Sequence, residues 1–221
     1  MALHSTSDAR VRPAIVAIGP AFLLAAFAYH PYLDPPTDSG VIAGAAAADT
    51  TRWAFSHLAI AGGYGLLVIA FTALRSYLRD VDEGRWSARA LPFIVMGGTL
   101  FAVLTGMEFA VLAAVETGAD ARAAQEALRP WFIPILLGSG LSFAIGALGF
   151  AAAIARSGVL GPASTRLVVG ALIVMAISRF VPLSWAPYVL GMSGILALWP
   201  LAYEMAERGP ARRSRAVLSR P

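Results

Sequence analysis

Six long apolar runs divide this 221-residue chain and decide what it can fold into. A helix needs roughly 17–25 predominantly apolar residues to cross the hydrocarbon core of a bilayer. Hydrophobic residues make up 58% of the chain and charged residues only 14%, against roughly 25% charged in a soluble domain. The sequence therefore predicts an all-α, polytopic membrane protein, a bundle of six transmembrane helices. The apolar runs cover approximately 13–29, 53–74, 90–115, 131–155, 165–181 and 187–205.

The arginines predict the orientation of these spans. All 17 basic residues are Arg, and once Arg52, Arg122, Arg129 and Arg179 are set aside, the other 13 of the 17 fall on one side of the predicted membrane. Because Arg-rich short loops stay cytoplasmic, we expect both termini to be cytoplasmic. The expected divisions are a cytoplasmic N-terminus at 1–12, a six-helix transmembrane domain at 13–205 and a basic cytoplasmic tail at 206–221. Five Arg and no acidic residue between positions 208 and 220 predict that this tail attracts anionic lipid headgroups.

The amino-acid composition and the N-terminal sequence also predict the kind of organism and an alternative in which the first span is cleaved. Arg without Lys, and the absence of Asn, are typical of a GC-rich bacterial genome, which predicts a multi-pass protein of the bacterial cytoplasmic (inner) membrane. The first span has an alternative interpretation as a signal peptide. Arg10 and Arg12 precede its apolar run, and Ala26-Phe27-Ala28 resembles a cleavage site.

Two missing residue types exclude several kinds of chemistry. Without Cys the chain has no disulfide, no thiolate nucleophile, no iron–sulfur cluster and no Cys-ligated zinc. Without Lys it has no Schiff base to retinal or pyridoxal phosphate and no P-loop lysine. We expect membrane lipids and a small or lipophilic ligand as partners, and no nucleic acid.

Two connections on the outer side are long enough to hold structure. In the first, residues 41–48 predict a short helix. In the second, Asp120 is placed to cap a short helix within 117–129, and Pro130 suits the first turn of the next span. The fifth and sixth spans are joined by little more than residues 183–186, which predicts antiparallel neighbours.

Small residues at helical spacing predict close helix packing. In span three they are Gly98, Ala102, Gly106, Ala110 and Ala114, and in span four Gly138, Ser142 and Gly146. Packing within one chain is one interpretation, and the face of a homodimer is the other.

Polar residues inside the spans are costly in hydrocarbon, which makes them candidates for function. His30 ends span one, His57 opens span two, Glu108 lies about 18 residues into span three, and Arg179 lies close to the end of span five. In the predicted topology all four lie at one depth near the outer leaflet. A carboxyl group at that depth must be paired or protonated, so we expect Glu108 either to pair with Arg179 or His57 or to act as an acid.

The polar residues of the spans are candidates for metal binding, catalysis and ligand binding. His30, His57 and Glu108 supply two imidazoles and a carboxylate, a ligand set that suits a divalent metal such as zinc with an open position for water. Glu108 and His57 are the candidate catalytic residues. Arg179, with Tyr64 on the face of His57, is the candidate for ligand or cofactor binding. The structural alternatives are an interfacial His30, a His57 bonded to a neighbouring helix and an Arg179 that snorkels outward.

The chain resembles a group of uncharacterised six-span bacterial integral membrane proteins. The resemblance covers most of the chain and implies the architecture, because the group has no established activity. It rests on His30-Pro31 after span one, on Trp53 and Ser56-His57 at the start of span two, on Gly106-Met107-Glu108 in span three and on the short helical segment before span four.

Together these features predict a polar cavity, open toward the outer leaflet, that binds a small or lipophilic ligand. An enzyme that acts on a lipid or isoprenoid by acid–base or metal-assisted chemistry is the first alternative. A proton-coupled carrier and an accessory or scaffold subunit are the others.

Overall fold

The computed structural model describes residues 8–218 and the side chains of residues 11–207. These residues form helices and no strands, so the all-α prediction is confirmed. The predicted basic tail lies mostly outside the described side chains, although helix α8 includes its backbone as far as Leu218. The helices are α1 Asp8–Tyr29, α2 Ser39–Ala48, α3 Thr50–Arg79, α4 Arg85–Met107, α5 Phe109–Thr117, α6 Ala121–Ser157, α7 Pro162–Ser178 and α8 Ala186–Leu218.

Five helical stretches of the described chain are long and apolar enough to cross a membrane. This supports a polytopic helical membrane protein. Helix α7, with 17 residues, is shorter than each of these five stretches, so the count of six spans stays a prediction. The five stretches are Val11–Tyr29, Thr50–Arg79, Arg85–Thr117, Ala121–Ser157 and Ala186–Glu207.

Six of the helices pack as a closed ring. Going around it, α1 contacts α3, α3 contacts α4, α4 contacts α6, α6 contacts α7, α7 contacts α8, and α8 returns to α1. Short connections place consecutive helices side by side, so the order in the chain is also the order in the ring. Aliphatic and aromatic side chains fill its centre, among them Leu23, Leu67, Phe71, Ile94, Phe143, Phe150, Leu172 and Leu198.

Helices α4 and α6 approach so closely that their backbones touch. A Cβ atom added to Gly97 would lie 2.7 Å from the Phe143 nitrogen, and one added to Gly146 would lie 2.7 Å from Ile94 Cγ1. Glycine is therefore required at both positions for this spacing. The predicted packing role of Gly146 is confirmed.

A second, smaller apolar cluster covers one end of the ring. It is formed by Trp53 of α3 together with α2, α5 and residues 121–128 of α6. We call these last three segments, α2, α5 and residues 121–128, the cap. The Asp38 side chain accepts hydrogen bonds from Gly40 N at 2.7 Å and Val41 N at 2.9 Å, which starts α2. The short helix predicted for residues 41–48 is thus confirmed. The buried residues of this cluster are Ile42, Ala46, Trp53, Val111 and Leu112.

The predicted separation of a short helix from span four is wrong. Asp120 caps the helix as expected, accepting from Ala123 N at 3.0 Å. The helix then continues through Pro130 and Pro134 as the single 37-residue α6. A proline inside a helix removes one backbone hydrogen bond and its ring crowds the carbonyl four residues earlier, but packing against neighbouring helices can hold the helix together at that point.

Two interruptions shape the cap end of the ring. Glu108 is the single residue between α4 and α5, and its carbonyl oxygen accepts from the Trp53 indole nitrogen at 3.4 Å. Helix α7 ends at Ser178 rather than at the predicted residue 181, and residues 179–185 reach α8 without regular helix. Pro182 accounts for this end, because the residue before a proline is disfavoured in the α conformation.

Candidate functional site

A cavity of about 510 Å³ lies between the ring and the cap. Most of its lining is apolar, with side chains such as Phe27, Leu33, Ile60, Leu104, Leu136 and Leu190. The charged, imidazole and amide side chains that line it are His30, His57, Glu108, Gln125, Arg129 and Arg179. The structure thus brings four residues singled out in the sequence, His30, His57, Glu108 and Arg179, to one cavity.

The two imidazoles contact each other and share an aromatic neighbour. The centroids of the His30 and His57 rings are 4.9 Å apart, and the Trp53 ring lies 4.4 Å from that of His57. The Nδ1 atom of His30 is 2.7 Å from the Pro31 carbonyl oxygen, and that of His57 is 2.8 Å from the Trp53 carbonyl oxygen. Because a carbonyl can only accept, each Nδ1 carries a proton, and in the neutral ring each Nε2 then has a lone pair.

His30 follows the last residue of α1 and is partly buried. Burial lowers the pKa of its imidazole below the ordinary value, and the nearby Arg52 guanidinium lowers it further. The hydrogen bond to the Pro31 carbonyl opposes this shift. The net effect favours a neutral His30 ring, an acceptor rather than a cation.

Glu108 is 7% exposed, and its side chain has one hydrogen-bond partner among the described residues. Its Oε1 accepts from Gln125 Nε2 at 3.4 Å, while its Oε2 and the Gln125 Oε1 have no partner there. No described residue forms an ion pair with Glu108. Of the two alternatives for Glu108, the pair with Arg179 or His57 is therefore wrong, and an amide bonds the carboxyl group instead.

The predicted metal-ligand set of His30, His57 and Glu108 is not assembled. Within the described part of the chain, no group of three or more His, Asp or Glu side chains could hold a metal ion. The two imidazoles meet, but the carboxyl group of Glu108 bonds Gln125 Nε2 and does not form such a cluster with them.

Arg179 turns into the bundle, so the alternative in which it snorkels outward does not apply. Its Nη1 donates to the Tyr64 hydroxyl and its Nη2 donates to Ser139 Oγ at 2.7 Å. Ser139 in turn donates to the Gly97 carbonyl oxygen at 2.9 Å. The guanidinium carbon lies 4.2 Å from the centroid of the Phe101 ring, a cation–π contact. Neutral groups alone hold this cation among the described residues.

Arg179 also lies deeper than the other candidates. It contacts Tyr64, which follows His57 by seven residues, and Phe101, which precedes Glu108 by seven. Seven helical residues rise about 10 Å. The prediction of one common depth is therefore wrong for Arg179, which lies on the floor of the cavity because α7 ends early. Tyr64 is fully buried and holds Arg179 rather than lining the cavity.

Sequence reasoning missed three residues that complete the site. Gln125 is the only Gln of the chain, and its place in a connecting segment gave no sign that it would reach Glu108. Ser139 stands between two glycines of an apolar span, where a small side chain carries no signal of a bond to Arg179. Phe143 lies beneath the guanidinium of Arg179, 5.8 Å from ring centroid to carbon, but an apolar residue in a span carries no signal of this role.

A second concavity, of about 600 Å³, lies along α4 at the other end of the ring. Arg75 and Thr99 are its polar lining residues, and the rest is aliphatic. It includes none of the candidate site residues.

No family model, curated protein or solved structure matches this chain. The resemblance to uncharacterised six-span membrane proteins therefore stays a prediction, and the function must be argued from the site.

Proposed function

We propose that this protein binds a small lipophilic or amphiphilic molecule in the cavity between the ring and the cap. The observation that carries the proposal is a cavity with mainly apolar walls into which a few charged and polar side chains converge. Ligand sites in proteins combine these two features and commonly have volumes of roughly 300–1,000 Å³. The volume of about 510 Å³ falls within that range.

The early end of α7 supports entry from the lipid. Beyond Ser178 the wall between α6 and α8 consists of residues 179–185 instead of a helix. Side chains that line the cavity at this gap are also exposed on the surface, with Leu137 57% and Phe180 49% exposed. In a bilayer such a surface faces acyl chains, so a lipophilic molecule could reach the cavity without crossing water.

We further propose six spans, with α7 as the fifth, in the cytoplasmic membrane of a bacterium. Both termini would be cytoplasmic and the cap would face outward, as the arginine distribution favours. The chain has no Cys, so single Cys residues can report their side. A membrane-impermeant maleimide added to intact cells should label Ala119→Cys and spare Ala163→Cys, both at exposed positions. The reverse pattern would overturn the orientation.

Retention of a ligand during purification tests the binding proposal. Native mass spectrometry of the full chain in a mild neutral detergent should show a bound species of small mass. Leu136→Trp adds bulk at a partly buried cavity wall, and Leu141→Trp is the matched control on the lipid-facing side of the same helix. We expect Leu136→Trp to lose the bound species and Leu141→Trp to keep it. Equal retention by both variants would contradict the proposal.

A second candidate function is acid–base chemistry on the bound molecule. It is favoured by a carboxyl group that has no ion-pair partner among the described residues and by two imidazole lone pairs in the lining of one cavity. A carboxyl group can donate a proton and a neutral imidazole can accept one. Incubation of the protein with the molecule extracted from it should then yield a product, and Glu108→Gln should abolish that product while still binding the molecule. Full conversion by Glu108→Gln would exclude this role.

A further inference from the structure

We infer that the ligand of the cavity is an anionic amphiphile, with a carboxylate or phosphate head bound by Arg179 and an aliphatic chain along the apolar wall toward the lipid. The inference rests on the proposed function and names the class of molecule. It starts from a cation for which the described part of the protein supplies no anion.

Arg179 is charged in every state of the protein, because a guanidinium does not lose its proton. Its two hydrogen-bond acceptors, the Tyr64 hydroxyl and Ser139 Oγ, are neutral. Its Nε, a third donor group, has no acceptor among the described residues. A mostly buried cation needs a compensating charge, and neutral dipoles and aromatic rings compensate it only in part.

The acidic residue in the cavity lining does not fill this need. Glu108 lies about two helical turns, roughly 10 Å, from the level of Arg179 and bonds Gln125 instead. The described ion pairs within 4.0 Å join exposed side chains elsewhere, as in Arg12 with Asp80 and Arg122 with Glu126. The anion must therefore come from outside the described chain.

The shape of the guanidinium indicates the chemical class of the head group of the ligand. Its planar fork of donors matches the oxygens of a carboxylate or a phosphate. Glu108 has less influence than Arg179 on the charge of the ligand head. A buried carboxyl group can lose its charge by taking up a proton, whereas the guanidinium of Arg179 keeps its charge. A cationic head is disfavoured, because the permanent charge of Arg179 would repel it.

The apolar lining sets the rest of the molecule. From Arg179 the cavity wall continues over Leu136 and Leu137 of α6 and over Phe180 of the 179–185 segment. Leu137 and Phe180 are about half exposed, so this wall leads to the surface that faces lipid. An unbranched aliphatic chain can follow it with its head on the floor of the cavity. A free inorganic anion would leave this wall uncovered.

Four probes separate head from chain. Native mass spectrometry of the full chain in neutral detergent, freed of its retained ligand, should compare dodecanoate, dodecyl phosphate, dodecanol and acetate. We expect dodecanoate or dodecyl phosphate to bind at least tenfold more tightly than dodecanol, and acetate not to bind. Which of the two acidic probes binds better identifies the head. Equal binding of dodecanol and both acids would overturn the inference and leave the proposed function standing. No binding of any long-chain probe would count against both.

Two Arg→Met variants locate the head. Arg129 also lines the cavity but is exposed and lies toward the cap. We expect Arg179→Met to reduce the affinity for the acidic probe to that for dodecanol, and Arg129→Met to change it less than threefold. The opposite result would place the head at the cap and overturn the assignment to Arg179. If Arg179→Met does not fold, the affinities of the wild-type protein for the acidic probes and for dodecanol still show whether the ligand head must be anionic.

Discussion

The substitution Gly97→Ala adds one methyl group where α4 and α6 touch. The new Cβ would lie 2.7 Å from the Phe143 nitrogen and 2.8 Å from the Phe143 Cα, whereas ordinary contacts begin at 3.4 Å. Backbone atoms cannot rotate away, so α6 must move off α4 by about 0.7 Å, the difference between 3.4 Å and 2.7 Å. Overpacking of this kind costs about 1–3 kcal/mol.

Gly106→Ala on the same helix is the matched control. A Cβ there meets nothing within 4 Å. Both variants gain the helix propensity of alanine over glycine, about 1 kcal/mol, so the difference between them isolates the packing cost. We expect Gly97→Ala to be less stable than Gly106→Ala by about 1–3 kcal/mol. For a chain of this size each kcal/mol shifts the melting temperature by roughly 2–4 °C.

Thermal unfolding in neutral detergent, monitored by circular dichroism, measures this difference. Ligand binding supplies a second readout, because Gly97 carries the carbonyl oxygen that accepts from Ser139, the residue that holds Arg179. Moving α6 should therefore weaken binding of an acidic amphiphile in Gly97→Ala and leave it unchanged in Gly106→Ala. Equal melting temperatures for the two variants would refute the close contact between α4 and α6.

Three further predictions concern buried groups. Ser139→Ala removes the hydrogen bond to Arg179 and should cost about 1.5–3 kcal/mol of unfolding free energy in denaturant titrations. Trp53→Ala should cost about 3–5 kcal/mol in the same titrations, because this side chain is 1% exposed, while Trp131→Ala at 70% exposure should cost under about 0.5 kcal/mol. Since burial lowers the pKa of His30, the unfolded chain binds its proton first, so stability should fall as the pH drops below about 6.5. A melting-temperature profile over pH should be flatter in His30→Gln, and an unchanged profile would contradict this.

Local signals in the sequence were sufficient for the helix that starts after Asp120. A cap depends on one side chain and the backbone of the next three residues, and the expected bond forms to Ala123 N. The length of that helix, in contrast, depends on tertiary contacts. Proline at 130 indicated a boundary, yet α6 continues through it, because packing of α6 against neighbouring helices outweighs the loss of one hydrogen bond.

The depth of Arg179 could not be predicted from hydropathy. Phe180 and Val181 are apolar, so the hydrophobic run continues beyond the helix, which ends at Ser178. A hydrophobic run indicates which residues lie in lipid. The depth of each residue in the membrane also depends on where the helix ends. Pro182 was the available signal, because it disfavours helix at the residue before it. That signal would have placed the end of α7 nearer to Ser178.

The glycine pattern of span three predicted tight packing but not its partners. A Cβ atom added to Gly98 would lie 2.7 Å from the Val68 side chain of α3, while one added to Gly106 in the same stripe would meet nothing within 4 Å. The close approach to α6 occurs at Gly97, which lies outside the stripe. Spacing shows which residues share a face, whereas the order of helices in the ring decides which neighbour that face meets.

The distribution of unsatisfied polar atoms connects fold to function. In the described part of the chain, Glu108 Oε2, Gln125 Oε1 and Arg179 Nε are buried without a hydrogen-bond partner. Each belongs to a residue that lines the cavity. Every such atom costs folding free energy, about 1–3 kcal/mol, whereas buried serines of the ring such as Ser56, Ser139 and Ser193 donate to backbone carbonyl oxygens. A sequence that served only to pack helices could place apolar side chains at these positions without that cost. Their clustering at one cavity is what a binding site requires, because the missing partners are then supplied by the ligand.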